Sequence, residues 1–222
     1  MGTIAGSRAR RQPLVHKGEV LQCTKRFEEE VRSQGFIRVA GLDEVGVGAL
    51  CGPVMACAVV LGEGFDCEGL DDSKRLTARR REVLSERIRA QAQAFGIGTA
   101  EPHEIDSMNI LRATHLAMRR ALEALRPPPD FVLVDGRDVP EIRVPHRAIV
   151  KGDALSVSIA AASIVAKVER DAQMKGWDER CPGYFLSRNM GYGSRPHREA
   201  LRRLGPSEIH RRSFQGTERW LF

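Results

Sequence analysis

The stretch VAGLDEVGVGALCGPV, residues 39–54, carries an apolar, strand-like run into two adjacent carboxylates, Asp43 and Glu44, and then into glycines at 46 and 48. An acid pair closing a core strand is costly unless a cation or water compensates it. Neighbouring residues of a regular strand point to opposite faces. Asp43 and Glu44 are therefore expected to share a site only if the strand ends there, with Gly46 and Gly48 letting the chain turn. Two further acids end or closely follow apolar strands: Asp135 in FVLVDG and Asp153 in AIVKGD. Strand ends lying side by side would bring these charges close, and repulsion would keep some protonated unless a divalent cation neutralised them. Clustered hard oxygen ligands suit Mg²⁺ or Mn²⁺. Taken singly, such an Asp is more often a turn former or cap, and Asp153 stands just before a helix starting near Ser156 or Ser158. The pattern alone leaves the two explanations evenly balanced.

Outward from this stretch the chain alternates. Helical spacing over 15–35 places Val20, Leu21 and Phe27 on one side. FIRVAGLD and GPVMACAVVLG read as strands in hairpin order. Thr77 is a plausible N-cap for a helix running to about residue 94, and FGIGTA follows as a short strand. Residues 103–125 carry apolar positions at three- and four-residue steps and predict one long helix, stopped by Arg126-Pro-Pro-Pro. FVLVDG and HRAIVKGD are two more strands, and an Ala- and Ser-rich helix follows from about 156. The expectation is an α/β fold: a mixed five-stranded sheet with helices on both sides and a helical C-terminal region from about 175. Residues 14–222 are read as one domain, behind a basic tail over 1–13.

Thirty-five Lys and Arg against 29 Asp and Glu give the 222-residue chain a formal charge of +6. That excess permits a polyanionic partner without demanding one. Five cysteines without C-x-x-C spacing indicate a reduced, cytoplasmic protein with no structural zinc. No stretch is long and apolar enough for a membrane span. No heptad pattern argues against a monomer.

Six blocks, in order, give a more specific indication: AGLDEVGVGALCGPV, DDSKRLTARRRE, EIDSMNILRATHLAM, FVLVDG, VKGDALSVSIAAASIVAKVERD and GYGSRPHREALRRLGPSEIHRRSF. Over about residues 35–214 the chain resembles ribonuclease HII, the prokaryotic type 2 ribonuclease H. The resemblance implies an RNase H-like fold and an endonuclease that cuts RNA in RNA/DNA hybrids and 5′ of ribonucleotides embedded in duplex DNA. It implies a four-acid site of Asp43, Glu44, Asp135 and Asp153 and a two-metal hydrolysis leaving 5′-phosphate and 3′-hydroxyl. Asp43 would bridge the ions, Glu44 and Asp135 would hold one, and Asp153 the other. The alternatives are a duplex-binding protein that does not cut, or a Mg²⁺-dependent phosphatase of small substrates.

In the family a Gly-Arg-Gly segment reads the ribose 2′-hydroxyl; here it is Gly46-Val47-Gly48, which keeps the close backbone but lacks the guanidinium. The resemblance also assigns Tyr192 to packing under the deoxyribose that follows the ribonucleotide. Ser73 and Lys74 are candidate phosphate contacts at a helix entrance, and Lys167 is a candidate partner of phosphate or the acids. Arg170 is expected to pair with Asp171. His210, Arg211 and Arg212 either lock the C-terminal helices or touch substrate. Arg79–Arg81, Arg119, Arg120, Arg195, Arg202 and Arg203 are candidates for a stripe along duplex phosphates. The tail QGTERWLF, 215–222, resembles the sliding-clamp peptides of replication proteins. Glu218 stands where such motifs want an aliphatic residue, so packing of Trp220 and Phe222 on the domain is the preferred alternative.

Overall fold

In the computed structural model, which describes residues 23–214, the strand β1 (Val39–Val45) lies at the centre of a five-stranded sheet. It pairs antiparallel with β2 (Val54–Val60) and parallel with β4 (Phe131–Asp135). β3 (Ala94–Ala100) continues antiparallel from β2, and β5 (His146–Ile149) continues parallel from β4, giving the order β3-β2-β1-β4-β5. The mixed sheet is the expected one. The calls at 1–13 and 215–222, and Val20 and Leu21, lie outside the described residues.

Strand alternation sends Ala40 and Leu42 to one face, where they pack with Ala113, Ala117, Met118 and Ala121 of α4 (Ile110–Glu123). On the other face Cys57 and Val59 meet Ala161, Ile164 and Val165 of α5 (Val157–Arg180), together with Leu84 and Ile88 of α2 (Ala78–Gln91). The small residues of α5 allow a very close approach: a Cβ on Gly41 would lie 2.1 Å from the backbone carbon of Ser158. α1 (Arg26–Arg32) brings Glu28 to the start of α5, where its Oε1 accepts from the Ser156 hydroxyl at 2.6 Å and the Ser158 amide at 2.9 Å. Thr77 caps α2 by accepting from the Arg80 amide, as its position predicts.

The helix expected over 103–125 is two helices. α3 (Pro102–Met108) and α4 are separated by Asn109 at φ 78°, ψ 163°. That conformation costs a non-glycine residue about 1–3 kcal/mol. It is offset because Asn109 serves both helices: its amide donates to Ile105 O at 2.9 Å, and its side chain accepts from the Arg112 amide at 3.1 Å. The apolar periodicity runs through the break, which is why it was not visible in the pattern.

α6 (Leu186–Asn189) and α7 (Arg195–Leu204) form a small cluster around Cys51, Met174, Tyr184, Leu186 and Leu201. Among the described residues no helix is long and apolar enough to cross a membrane.

Candidate active site

Three carboxylates, Asp43, Glu44 and Asp135, line one cavity of about 450 Å³ with Val45, Gly46, Val47, Gly48, Ser73, Lys74, Ser163, Lys167 and Tyr192. The strand does not end at the acid pair. β1 runs on to Val45 and stays paired with β2 through it, whereas its pairing with β4 stops at Leu42 opposite Val134. Asp43 therefore stays on the α5 face, lining the cavity with Ser163, while Glu44, one residue on, belongs to the other face. Both reach the cavity because the pairing of β1 with β4 has stopped, not because β1 has turned. Glu44 also lines a second hollow of about 400 Å³ with Val47, Leu111 and His115.

One step beyond the last β1–β4 pair, Asp43 and Asp135 stand on adjacent parallel strands. Asp135 Oδ1 accepts from the amides of Gly152 at 2.6 Å and Asp153 at 3.3 Å. Asp153 does not end a strand: β5 stops at Ile149, and Asp153 sits in a single 3₁₀ turn, Gly152–Ala154, entered through Lys151 at φ 60°. The turn folds its backbone onto Asp135 and puts its side chain 3.2 Å from Lys74 Nζ.

The electrostatics follow from this crowding. Burial, then Glu44 and Asp135, hold the Asp43 carboxyl well above its usual pKa. Burial and Asp135 raise Glu44, and burial and Asp153 raise Asp135. All donors are hard oxygens and Lys74 compensates their charge only in part, the condition that a divalent cation relieves. The acids are spaced more widely than one compact ligand set. Among the described residues, the three His, Cys, Asp or Glu ligand atoms within 4.8 Å of one another are those of Cys51, His197 and His210.

That second trio is already committed to other bonds. The Ser207 amide donates to His210 Nδ1 at 3.0 Å, which leaves the proton on Nε2 to face His197 Nε2 at 3.1 Å. His197 Nδ1–H then donates to Tyr192 O at 2.9 Å. Burial pushes His210 down to about 4 and lowers His197, and it pushes the Cys51 thiol up to about 12. A neutral chain of hydrogen bonds results, ending on the Tyr192 backbone.

Other expectations are corrected. Ser73 and Lys74 lie in the turn that leads into Thr77 and α2, where the sequence places them, but Ser73 is buried, with its hydroxyl 3.0 Å from Ser163 Oγ. Asp171 pairs with Lys167 at 2.7 Å, not with Arg170. Arg170 is fully buried and donates to the carbonyls of Pro53, Met190 and Cys51. The basic residues form no single stripe. α2 and α4 lie on opposite faces of the sheet, Arg81 is bound to Ser73 O and Leu76 O, and Arg120 is paired with Glu104 at 2.9 Å.

Tyr192 is part-exposed, with Lys167 Nζ and the Arg170 guanidinium 5.9 and 5.5 Å from its ring centre. Gly46 needs its lack of a side chain: its φ is +88° and a Cβ would lie 2.2 Å from Arg170 Nε. Gly48 does not, since a Cβ there would meet nothing within 4 Å. Sequence reasoning missed Ser163 and the structural part of Arg170. Nothing in AASIVAKVERD distinguishes them from ordinary helix residues without the sheet against which they pack.

A family model described as ribonuclease HII matches residues 40–217. The chain belongs to the ribonuclease HII family. Ribonuclease HII of Desulfitobacterium hafniense (strain Y51) is 47% identical over 205 residues, 92% of this chain and 79% of that one. That of Ruegeria pomeroyi is 52% identical over 197 residues, 88% of this chain and 84% of the relative. Among solved structures, ribonuclease H2 from Pyrococcus horikoshii superposes with a TM-score of 0.67 at 28% identity, over 82% of this chain and 96% of that one. A PCNA:RNase HII complex from Archaeoglobus fulgidus gives a TM-score of 0.64 at 28% identity, over 78% and 92%. Family membership makes this chain an endoribonuclease.

Proposed function

We propose that this endoribonuclease hydrolyses the RNA strand of RNA/DNA hybrids and cuts 5′ of ribonucleotides embedded in duplex DNA. Its ions would be Mg²⁺ or Mn²⁺, held by Asp43, Glu44, Asp135 and Asp153. The observation that carries this is the crowding of carboxylates, only partly compensated by Lys74, around the cavity that also contains Gly46-Val47-Gly48 and Tyr192. Two such ions, when bound, supply an activated water and a stabilised leaving oxygen for phosphodiester cleavage.

The chain's own residues have separable tasks. Asp43 is held by the amide of Glu44, and Asp135 by the amides of Gly152 and Asp153, so both carboxylates are aimed before substrate arrives. Lys74, now on Asp153, is long and exposed enough to exchange that carboxylate for a phosphate oxygen. Val47 offers no guanidinium to the phosphate beside the ribose, which favours long hybrids over a single embedded ribonucleotide. Residues 14–222 would act as one catalytic domain. The clamp-like tail lies outside the described residues; the Archaeoglobus relative solved with PCNA makes a clamp-binding assay worthwhile.

The test uses three duplexes of one sequence: an RNA/DNA hybrid, DNA with one ribonucleotide, and all DNA. Expected are cleavage of the first two with Mg²⁺ or Mn²⁺, leaving 5′-phosphate ends, and no cleavage by Asp43→Asn. Cutting of the hybrid alone would assign changed specificity to Val47. Binding without cutting of any duplex would overturn the proposal.

A further inference from the structure

The connection 46–53 between β1 and β2 contains the glycine segment, yet it is held mainly by the C-terminal region. Leu50 N donates to Gly191 O, Gly52 N to Ile209 O, and Arg211 N to Leu50 O, at 2.8–2.9 Å. Two buried arginines complete the attachment. Arg211 donates to Gly46 O at 2.7 Å, Val47 O at 2.9 Å and Gly52 O at 3.0 Å. Arg170 donates to Cys51 O, Pro53 O and Met190 O and lies against the Tyr192 ring.

The peptide plane turns this into a directional statement. A trans peptide sets the C=O of one residue antiparallel to the N–H of the next. With the Gly46 and Val47 carbonyls both drawn inward to Arg211, the amides of Val47 and Gly48 point away from it, on a segment that lines the cavity. Two successive outward amides make a concavity suited to an anionic or hydroxyl oxygen. The open space over Gly48 leaves room for close approach.

We propose that Arg211 and Arg170 are positioning residues for substrate recognition. Arg211 aims the amides of Val47 and Gly48 at a backbone oxygen of the nucleic acid, and Arg170 fixes Tyr192 at a set distance from them. This rests on the cavity being a nucleic-acid site, and it adds how that site acquires its shape. A planar fork with five donors serves several carbonyls from one position, whereas an ammonium on a flexible stem does not.

The experiment compares wild type, Arg211→Lys and Arg170→Lys for binding to hybrid and all-DNA duplexes without divalent cation, and for turnover of the hybrid with Mg²⁺. One lost amide contact corresponds to about a tenfold change in affinity. The expected result is that Arg211→Lys raises KM for the hybrid about tenfold, erodes its preference over DNA by a similar factor, and changes kcat by less than about threefold. Arg170→Lys is expected to act in the same direction. Folded variants with unchanged KM and preference, or a loss confined to kcat, would overturn the inference. The wild type supplies a second arm that survives misfolding of the variants. On titration with hybrid, the ¹H–¹⁵N signals of Val47 and Gly48 should shift and that of Ala49, whose amide is bonded inward to Gly46 O, should not. Unmoved Val47 and Gly48 signals would end the proposal. Wild-type protein that neither cuts nor prefers the hybrid removes the functional reading, and this inference with it. Normal cutting with silent variants removes this inference alone.

Discussion

The two walls of the cavity are built on opposite principles. On the acid wall, Asp43, Glu44 and Asp135 repel one another, and burial raises the pKa of each. The opposite wall is Gly46–Gly48 and Tyr192, and behind it Arg170, Arg211, His197 and His210 are buried with hydrogen-bond partners: guanidinium to carbonyl, amide to imidazole, imidazole to carbonyl. Buried polar groups stabilise only when satisfied. The second wall is thus complete as folded, while the first is finished by what it binds.

The largest expected effect breaks the acid wall. Asp43→Asn should lower cleavage by at least about 10³-fold, the scale on which removing a central electrostatic group acts. Without divalent cation it should also raise Tm by about 2–4 °C, corresponding to about 1 kcal/mol of relieved repulsion in a chain of this size. Mg²⁺ or Mn²⁺ should raise the wild-type Tm and leave the variant's nearly unchanged. A variant that melts lower than wild type in EDTA would show that the acids stabilise the fold.

Gly46→Ala strikes the opposite wall. Positive φ and contact with Arg170 Nε make it costly, about 3 kcal/mol, at the upper end for single substitutions. Gly48→Ala sharpens the comparison: denaturant unfolding should change by less than about 0.5 kcal/mol, as at an unconstrained site, while hybrid affinity falls. Equal loss of stability from both would contradict the different surroundings of the two glycines.

The histidine chain gives a pH test. His210 has a folded pKa of about 4 against an ordinary 6.5, so the unfolded chain binds the extra proton between these values. Stability present above pH 6.5 is therefore lost as pH falls towards 4, by up to about 1.4 kcal/mol per pH unit. His197 is shifted the same way. His210→Gln should be less stable at pH 7 but show a flatter decline between pH 6.5 and 4. The smallest effect on activity is that of Thr77→Ala, which should leave hybrid cleavage unaltered because Thr77 caps α2 outside both walls, while costing about 1 kcal/mol of stability through the lost cap.

How far the sequence reached differs by wall. Asp43, Glu44 and Asp135 were legible because acids interrupting apolar strands are conspicuous, and β1 and β4 are neighbours. The way Glu44 reaches the cavity was not legible: it depends on where β4 stops pairing, a property of two strands 90 residues apart. That Asp153 follows a strand closely was legible, but its 3₁₀ turn was not, because such a turn has no periodicity of its own. Arg170 looked like a partner for the adjacent Asp171, since local pairing is all that i,i+1 spacing offers.

What the sequence determined by itself was the alternation of strands and helices, the mixed sheet and the acids that interrupt it, all of which follow from periodicity and the cost of burying charge. The tertiary structure alone decided which side chains face each other across the cavity. Arg211 and Gly46 are joined by hydrogen bonds spanning 165 residues, and no local pattern encodes a bond whose two ends meet only when separate layers have packed.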